Sequence, residues 1–224
     1  FGTALFVVDG AIANVALPHM QGALSASTEQ VTWVLTSYIV ATAIMTLPVG
    51  YVSRRFGRRR VFLCSVAGFT LASMLCGQAG SLGEMVLWRV VQGICGAALV
   101  PLSQSVLLDT FPVEKHASAM SIWGTGVMLG PILGPTLGGW LTEYYSWRWV
   151  FYINLPIGIA SFAGIFFFVR DTEPVKQRFD LAGFLLLAVA VASLQLLLDR
   201  GEHLKWLDAR EIQLYLLVCL ASLY

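Results

Sequence analysis

Apolar runs about as long as a bilayer is thick recur along this sequence and constrain its fold more than any other feature. A helix needs about 20 residues to cross a hydrocarbon core of about 30 Å. The sequence therefore predicts an all-α polytopic membrane protein, in which short connections make consecutive spans antiparallel neighbours. The eight segments of this kind are residues 1–18, 31–52, 61–79, 84–108, 117–141, 150–169, 181–198 and those from 212 onward.

The composition excludes several classes of protein. Charged residues make up 12% of the chain and hydrophobic residues 57%, whereas a soluble domain carries about 25% charged residues. A soluble enzyme, a disulfide-stapled secreted domain and a disordered regulator are therefore excluded. The net charge is +1 and the one basic cluster lies between two spans, so the lipid bilayer is a partner and nucleic acid is not. No cluster of His, Cys or acidic residues indicates an enzyme or a metal site, so we expect neither.

A polar stretch divides the predicted spans into two groups. Residues 1–169 would form a six-span bundle, residues 170–180 a cytoplasmic linker, and residues 181–224 two further spans. The chain does not begin with Met, and its first apolar run resembles the later part of a span. Residues 212–224 are too few to cross a bilayer. We therefore expect the first and last spans to be truncated, and the chain to be a piece of a longer protein.

Lys and Arg are distributed unevenly between the two sides of the predicted spans. Nine of them lie in the connections 53–60, 109–116 and 170–180, against four in the connections on the other side. Cytoplasmic loops carry an excess of these residues. We therefore expect the amino terminus and the 53–60 loop to be cytoplasmic, with the first span running outward.

Two ionisable residues, Asp9 and Arg89, fall well inside predicted spans. Each costs about 2.5–3.5 kcal/mol at a helix centre, so such residues normally pair inside a bundle or a watery cavity. The functional interpretation is a proton-coupling site at Asp9, with Arg89 as its counter-charge or gate. The alternative is a buried ion pair that only fixes helix packing. Gln92 and Gly93 extend a polar face from Arg89 and are candidate cavity-lining or gating residues. Asn14 either lines a cavity or hydrogen-bonds to a neighbouring helix.

The fifth predicted span carries a glycine at every fourth position. Such a stripe lets another helix approach closely, and the prolines within it bend the helix. An ordinary packing face would give this pattern, but its length favours a seam between moving halves, with the partner helix in a bundle outside this chain. The residues concerned are Gly126, Gly130, Gly134 and Gly138, with Pro131, Pro135 and Gly139 interleaved.

The connection between the second and third spans is short and strongly basic. Gly50 and Gly57 lie seven residues apart and allow a tight turn. Arginines here can bind helix C-termini and acidic lipid headgroups. The segment is either a topology anchor alone or a cytoplasmic latch that must break during transport. Its arginines are Arg54, Arg55, Arg58, Arg59 and Arg60.

Together these motifs resemble the major facilitator superfamily, and within it the fourteen-span drug:proton antiporters of EmrB/QacA type. One departure is Arg54, where the loop motif of the family has an acid, so a charge relay built on that acid cannot be carried over. The matching segments correspond to the first-span signature, the cytoplasmic loop, the proton-transfer motif, the antiporter motif, the sixth-span entry and the extra helix of fourteen-span members. They are Asp9–Pro18, Gly50–Arg60, Arg89–Gly93, Gly126–Gly139, Trp147–Gly158 and Phe179–Trp206.

The resemblance implies a major facilitator fold, with an amino-terminal six-helix bundle, inserted helices and a second bundle outside this chain. It also implies a proton-driven exporter of small amphipathic substrates in the cytoplasmic (inner) membrane, with the proton gradient as energy source and no cofactor. In a double-membrane bacterium, the partners would include a periplasmic adaptor and an outer-membrane channel. Two alternatives stay open: an exporter of one specific metabolite or siderophore, and a non-transporting receptor or scaffold.

Overall fold

The computed structural model describes residues 2–175, 178–201, 206 and 209–223. These residues form helices and no strand, which confirms the all-α fold class. A short 3-10 turn, Val113–Lys115, leads into α7. The α-helices in chain order are α1 Gly2–Ala23, α2 Thr28–Thr46, α3 Val49–Phe56, α4 Arg58–Gln78, α5 Leu82–Gly96, α6 Leu99–Thr110, α7 His116–Tyr144, α8 Trp149–Tyr152, α9 Asn154–Phe168, α10 Leu181–Gly201 and α11 Arg210–Leu223.

Seven of the eight predicted spans correspond to helical segments that are long and apolar enough to cross a membrane. Six do so directly, and the seventh is the pair α2 and α3, which is bent by 58° at its break. The span predicted at 84–108 consists of α5 and α6, which together cover Leu82–Thr110. The last helix, α11, has 14 residues, fewer than the roughly 20 that a bilayer requires. The chain is therefore a multi-pass membrane protein.

Side-chain caps fix where two of the spans begin. Ser27 accepts a hydrogen bond from the Gln30 backbone N–H at 3.2 Å, and the Gln30 side chain accepts one from the Ser27 N–H at 3.0 Å. This capping box starts α2. Ser81 caps α5 by accepting from the Glu84 N–H at 3.3 Å. Both caps satisfy donors that a helix start leaves unpaired.

The helices do not pack simply in chain order. α1 packs most extensively against α7, and α2 against α5. α4 packs against α5 and α9, while α10 packs against α11 and α2. The consecutive spans α1 and α2 contact each other, as predicted, but less extensively than each contacts its main partner. A short connection holds two helix ends together but leaves their faces free to pack elsewhere.

A polar layer separates two apolar clusters in the interior. On α1, Asp9 lies between Leu5 of one cluster and Ile12 of the other. On α4, Ser73 lies in the same way between Phe69 and Cys76. Arg89 and Gln92 on α5 follow Met85 of one cluster and precede Ala97 of the other. The three helices thus place their buried polar residues at a common depth.

Large apolar side chains cover much of the outside of the bundle. Leu71 is 65% exposed and Phe167 is 75% exposed. In a soluble protein such an outer surface would indicate partners or aggregation. On helices of spanning length it is the surface that contacts lipid tails.

Candidate functional site

Asp9 lies in the middle of α1, and its side chain is completely buried. Arg89 reaches it from α5, where the Nη1 atom donates a hydrogen bond to Asp9 Oδ2 at 2.7 Å. The guanidinium is also completely buried. The two ionisable residues that sequence reasoning placed inside the membrane are therefore brought together as one ion pair.

Besides Asp9 of α1, Arg89 contacts residues of α2 and of its own helix, α5. Its Nε atom donates to the Val34 carbonyl of α2 at 3.0 Å, and its Nη1 atom donates to Gln92 Oε1 at 2.8 Å. The guanidinium carbon lies 4.1 Å from the centre of the Tyr38 ring. The hydrogen bonds use the planar fork of an arginine, which a lysine cannot reproduce, and the Tyr38 ring adds a cation–π contact.

Two residues that sequence reasoning did not assign to the site complete it. Asn154, the first residue of α9, donates from Nδ2 to Asp9 Oδ1 at 2.6 Å and to Ser73 Oγ at 2.9 Å. Ser73 in turn donates to the Phe151 carbonyl at 2.9 Å. A serine inside an apolar helix gives no signal in a sequence. The Asn154 amide near the start of an apolar span was the available signal.

The site is fully buried but not fully hydrogen-bonded. Gln92 Nε2 adds a third donor to the carboxylate, at 2.9 Å from Asp9 Oδ1. Within the described residues, Arg89 Nη2 and Asn154 Oδ1 are buried without a partner. One positive and one negative charge balance each other, so the layer is neutral while Asp9 is ionised. Such a network can hold a carboxylate and can respond when a proton neutralises it.

Gln92 lies within the polar layer and Gly93 lies at the contact between α5 and α2, so a cavity-lining or gating role for them stays a prediction. Gln92 has no exposed surface and hydrogen-bonds within the polar layer. A Cβ on Gly93 would lie 2.6 Å from the Tyr38 carbonyl oxygen. Gly93 therefore allows α5 and α2 to approach closely enough for Arg89 to reach the backbone of α2.

Asn14 faces a cavity of about 300 Å³ between α1, α2 and α10. Thr36 and Asp199 line the same cavity, and Thr36 Oγ1 donates to Asp199 Oδ2 at 2.5 Å. Of the two interpretations of Asn14, the structure favours the cavity-lining one. Asp199, which sequence reasoning did not assign to a site, brings a carboxylate from α10 to this cavity.

Three glycines of the fifth-span stripe pack against α1. A Cβ on Gly130 would lie 2.5 Å from Val7, one on Gly134 would lie 2.5 Å from Ala11 Cβ, and one on Gly138 would lie 3.1 Å from Ile12. The expectation that their partner helix lies outside this chain is therefore wrong. The α1 residues that contact this glycine stripe are small or branched, so the side-chain-free face of α7 packs closely against them.

The remaining members of the stripe lie outside this contact. Gly126 and Gly139 have nothing within 4 Å of an added Cβ. Gly126 lines a second cavity, near the start of α1. Pro131 and Pro135 are exposed within a continuous α7. A role for this face in a moving seam stays a prediction.

The predicted 53–60 loop is helical, which corrects the sequence interpretation. Gly50, Arg54 and Arg55 lie in α3, and Arg58, Arg59 and Arg60 open α4. Gly57 alone joins the two helices, with a φ of +92° that side chains rarely adopt. The physical reason is that arginine is a good helix former, so a basic segment need not be a loop.

Each arginine at the start of α4 has a partner on a different element. Arg58 forms an ion pair with Asp109 of α6. Arg59 Nη2 donates to the Phe166 carbonyl of α9 at 2.5 Å. Arg60 lies 3.4 Å from Asp171, in the non-helical segment after α9. The start of α4 thus connects the ends of three other segments on one side of the bundle.

The segment after α9 also binds the α3–α4 turn through its backbone. Thr172 Oγ1 accepts from the Arg58 N–H at 3.1 Å, and the Val175 N–H donates to the Arg54 carbonyl at 2.8 Å. A Cβ on Gly57 would lie 2.6 Å from Asp171 Oδ1. The part of the predicted linker that the structure describes is therefore docked on the basic turn.

Comparison with known proteins decides the family. The model of the Major Facilitator Superfamily matches residues 1–223. This chain belongs to the major facilitator superfamily. The family consists of membrane transporters, which agrees with the multi-pass helical fold and with a charged pair held at membrane depth.

Curated relatives include exporters. The chain is 40% identical over 223 residues to the multidrug export protein EmrB of Escherichia coli (strain K12), covering 99% of this chain and 44% of that protein. It is 41% identical over 227 residues to the fatty acid resistance protein FarB of Neisseria gonorrhoeae, covering 98% and 45%. The chain thus spans less than half the length of these relatives.

Solved structures share the fold. The crystal structure of the POT family transporter PepTSo matches 99% of this chain and 50% of its own, with a TM-score of 0.72 and 12% sequence identity. At that identity the likeness concerns the fold alone. It agrees with the major facilitator fold that the sequence motifs implied.

Proposed function

We propose that this chain forms the amino-terminal part of a proton-driven exporter of amphipathic compounds. The observation that carries the proposal is the completely buried Asp9–Arg89 pair within a layer of hydrogen-bonding side chains. A scaffold gains little from burying two charges, because desolvation costs several kcal/mol per ion. The relatives named for multidrug export and for fatty acid resistance support export as the activity.

In the proposed mechanism, Asp9 alternates between carboxylate and carboxylic acid. A proton on Asp9 cancels its charge and weakens its attraction to Arg89, while the contacts of Arg89 with Val34 and Gln92 persist. The link between α1 and α5 therefore loosens when the proton binds. Because α1 packs on α7 and α5 packs on α2, this change reaches four spans of the bundle. The proton gradient then supplies the free energy for export, with no cofactor.

We also propose the boundaries and sidedness of the chain. Residues 1–169 form the six-span bundle, 170–180 the linker, and 181–224 the inserted spans. The α3–α4 turn and the amino terminus face the cytoplasm, in the cytoplasmic (inner) membrane. Cysteines at Ser53 and Ala23, introduced in the full-length protein after replacement of native cysteines, test the orientation. An impermeant thiol reagent should label the Ala23 position in intact cells and should label the Ser53 position only after permeabilisation.

Partners beyond the bilayer belong to the same proposal. Small amphipathic molecules are the substrates, and a periplasmic adaptor with an outer-membrane channel would extend the path in a double-membrane cell. Affinity purification of the full-length protein after cross-linking in such a cell should recover a membrane-anchored adaptor. Recovery of the transporter alone would contradict this part of the proposal.

A resistance panel tests the activity itself. Cells that express the full-length protein should survive higher doses of amphipathic cations, lipophilic acids and fatty acids, and a proton uncoupler should abolish the protection. Protection against a single compound would instead favour an exporter of one metabolite or siderophore. The absence of any proton-dependent efflux would favour a receptor or scaffold.

A further inference from the structure

The sixth-span entry, residues 147–158, is bound tightly to α4. Arg148 Nη1 donates to the Gly77 carbonyl at 2.6 Å and to the Ala79 carbonyl at 3.0 Å. A Cβ on Gly77 would lie 2.4 Å from the Tyr152 ring, and one on Gly158 would lie 2.1 Å from Thr70 Oγ1. Two bare glycines and one arginine therefore fix α8 and the start of α9 against α4.

This attachment determines where Asn154 lies. The residue is completely buried, and both protons of its amide nitrogen are used, one on Asp9 and one on Ser73. The hydroxyl of Ser73 is itself directed to the Phe151 carbonyl within the sixth-span entry. The amide is thus held from both sides with its nitrogen toward the carboxylate.

Asn154 differs chemically from Arg89, whereas Gln92, the third partner of Asp9, is also an amide. A guanidinium only donates hydrogen bonds, whereas an amide carries both donors and an acceptor. Asn154 Oδ1 is buried and has no partner among the described residues. The amide can therefore donate to a carboxylate and, after rotating, accept from a carboxylic acid. Arg89 can donate to either form of the carboxyl group but cannot accept a hydrogen bond from the hydroxyl of the acid.

We propose that Asn154 is a positioning residue for proton coupling, and that the sixth-span entry exists to hold its amide against Asp9. The inference rests on the proposed function, since it assigns Asn154 to the proton site of that transporter. Asn154 stabilises Asp9 in both charge states, because it offers a donor to the carboxylate and an acceptor to the hydroxyl formed on protonation.

The test compares proton-driven efflux with substrate counterflow in vesicles containing the full-length protein. Counterflow exchanges labelled for unlabelled substrate with no net proton transfer, so a structural defect would lower both activities. The probe is labelled ethidium or labelled oleate, whichever the wild type exports. Asn154→Ala should lower proton-driven efflux about ten- to hundredfold per folded molecule, the range for a lost hydrogen bond to a charged group. Counterflow should stay within about twofold of the wild type.

Two variants serve as matched comparisons. Ser161→Ala removes a buried polar group, a hydroxyl, from the same helix as Asn154. This hydroxyl has no partner in the described chain, so the variant should leave both activities unchanged. Ser73→Ala loosens the amide without touching Asp9 and should give a smaller loss of efflux than Asn154→Ala. Equal efflux in Asn154→Ala and wild type, or a parallel loss of counterflow, would overturn the inference. Proton-driven efflux in Asp9→Asn would instead overturn the proposed function itself.

Discussion

The polar layer and the α3–α4 turn both join opposite charges, but in different surroundings. The Asp9–Arg89 pair has no exposed side-chain surface, whereas Arg60 and Asp171 are 74% and 34% exposed. Water solvates the second pair whether or not it forms, so the pair contributes about 0–1 kcal/mol. A lost partner in the first pair leaves a buried charge unpaired, which is strongly destabilising. The same chemistry is therefore expected to control transport in one place and only to hold a segment in the other.

Removing one charge from the buried pair should have the largest effect. Asp9→Asn should abolish proton-driven efflux and also lower the amount of folded full-length protein, because an unpaired buried arginine costs about 3–5 kcal/mol. The double variant Asp9→Asn, Arg89→Gln should recover folded protein without recovering efflux. Size-exclusion profiles and efflux per folded molecule measure both quantities. Equal yields of the single and double variants would show that the pair is not under this electrostatic constraint.

The α1–α7 contact should be the next most sensitive place. Gly134→Ala puts a methyl group against Ala11, and overpacking of this kind typically costs about 1–3 kcal/mol. Ala11→Gly in the same molecule should restore thermal stability, since it removes the opposing methyl group. Gly139→Ala, on the open face of α7, should cause no loss. If Ala11→Gly fails to rescue, the glycine stripe packs mainly against a helix outside this chain.

The glycine between α3 and α4 should show a cost of similar size, but one that arises from the backbone. Gly57→Ala forces a side chain into a positive-φ conformation, which costs about 1–3 kcal/mol, and also displaces Asp171. Gly50→Ala is the matched control, because Gly50 lies in α3 with nothing near an added Cβ. Thermal melting of the purified full-length protein distinguishes the two. Equal stability of both variants would mean that the turn is not constrained as described.

The exposed ion pair should give the smallest effect. Asp171→Asn should lower the free energy of unfolding by less than about 1 kcal/mol, and added salt should remove the difference. Glu173→Gln removes the same charge two residues away and should be neutral. A large, salt-independent loss in Asp171→Asn would place this pair in the same class as the buried one and break the contrast between them.

The sequence predicted the spans and the charged pair, because both follow from single-chain physics. Apolar length reports membrane crossing directly, and the cost of charge in lipid identifies Asp9 and Arg89 before any contact is known. The polar linker after the sixth span is likewise visible in composition.

What the sequence could not supply are the partners of each helix face. The stripe at Gly130 to Gly138 indicates a close approach, but nothing in it states that α1 is the approaching helix. Ser73 and Asn154 are uncharged polar residues in largely apolar helices, and only the packing of α4 and α9 brings them to Asp9. The basic segment was predicted to be a loop because charged clusters are typical of connections between spans. Arginine is nevertheless a good helix former, and the segment is helical.

Proton release on substrate binding tests most directly whether Asp9 is the coupling group. Purified full-length protein in a weakly buffered solution with a pH indicator is mixed with a substrate identified in the resistance panel. The wild type should release protons as substrate binds, and Asp9→Asn should bind the same substrate without releasing any. Equal proton release from both proteins would contradict the assignment, because the exchanging proton would then reside on another group.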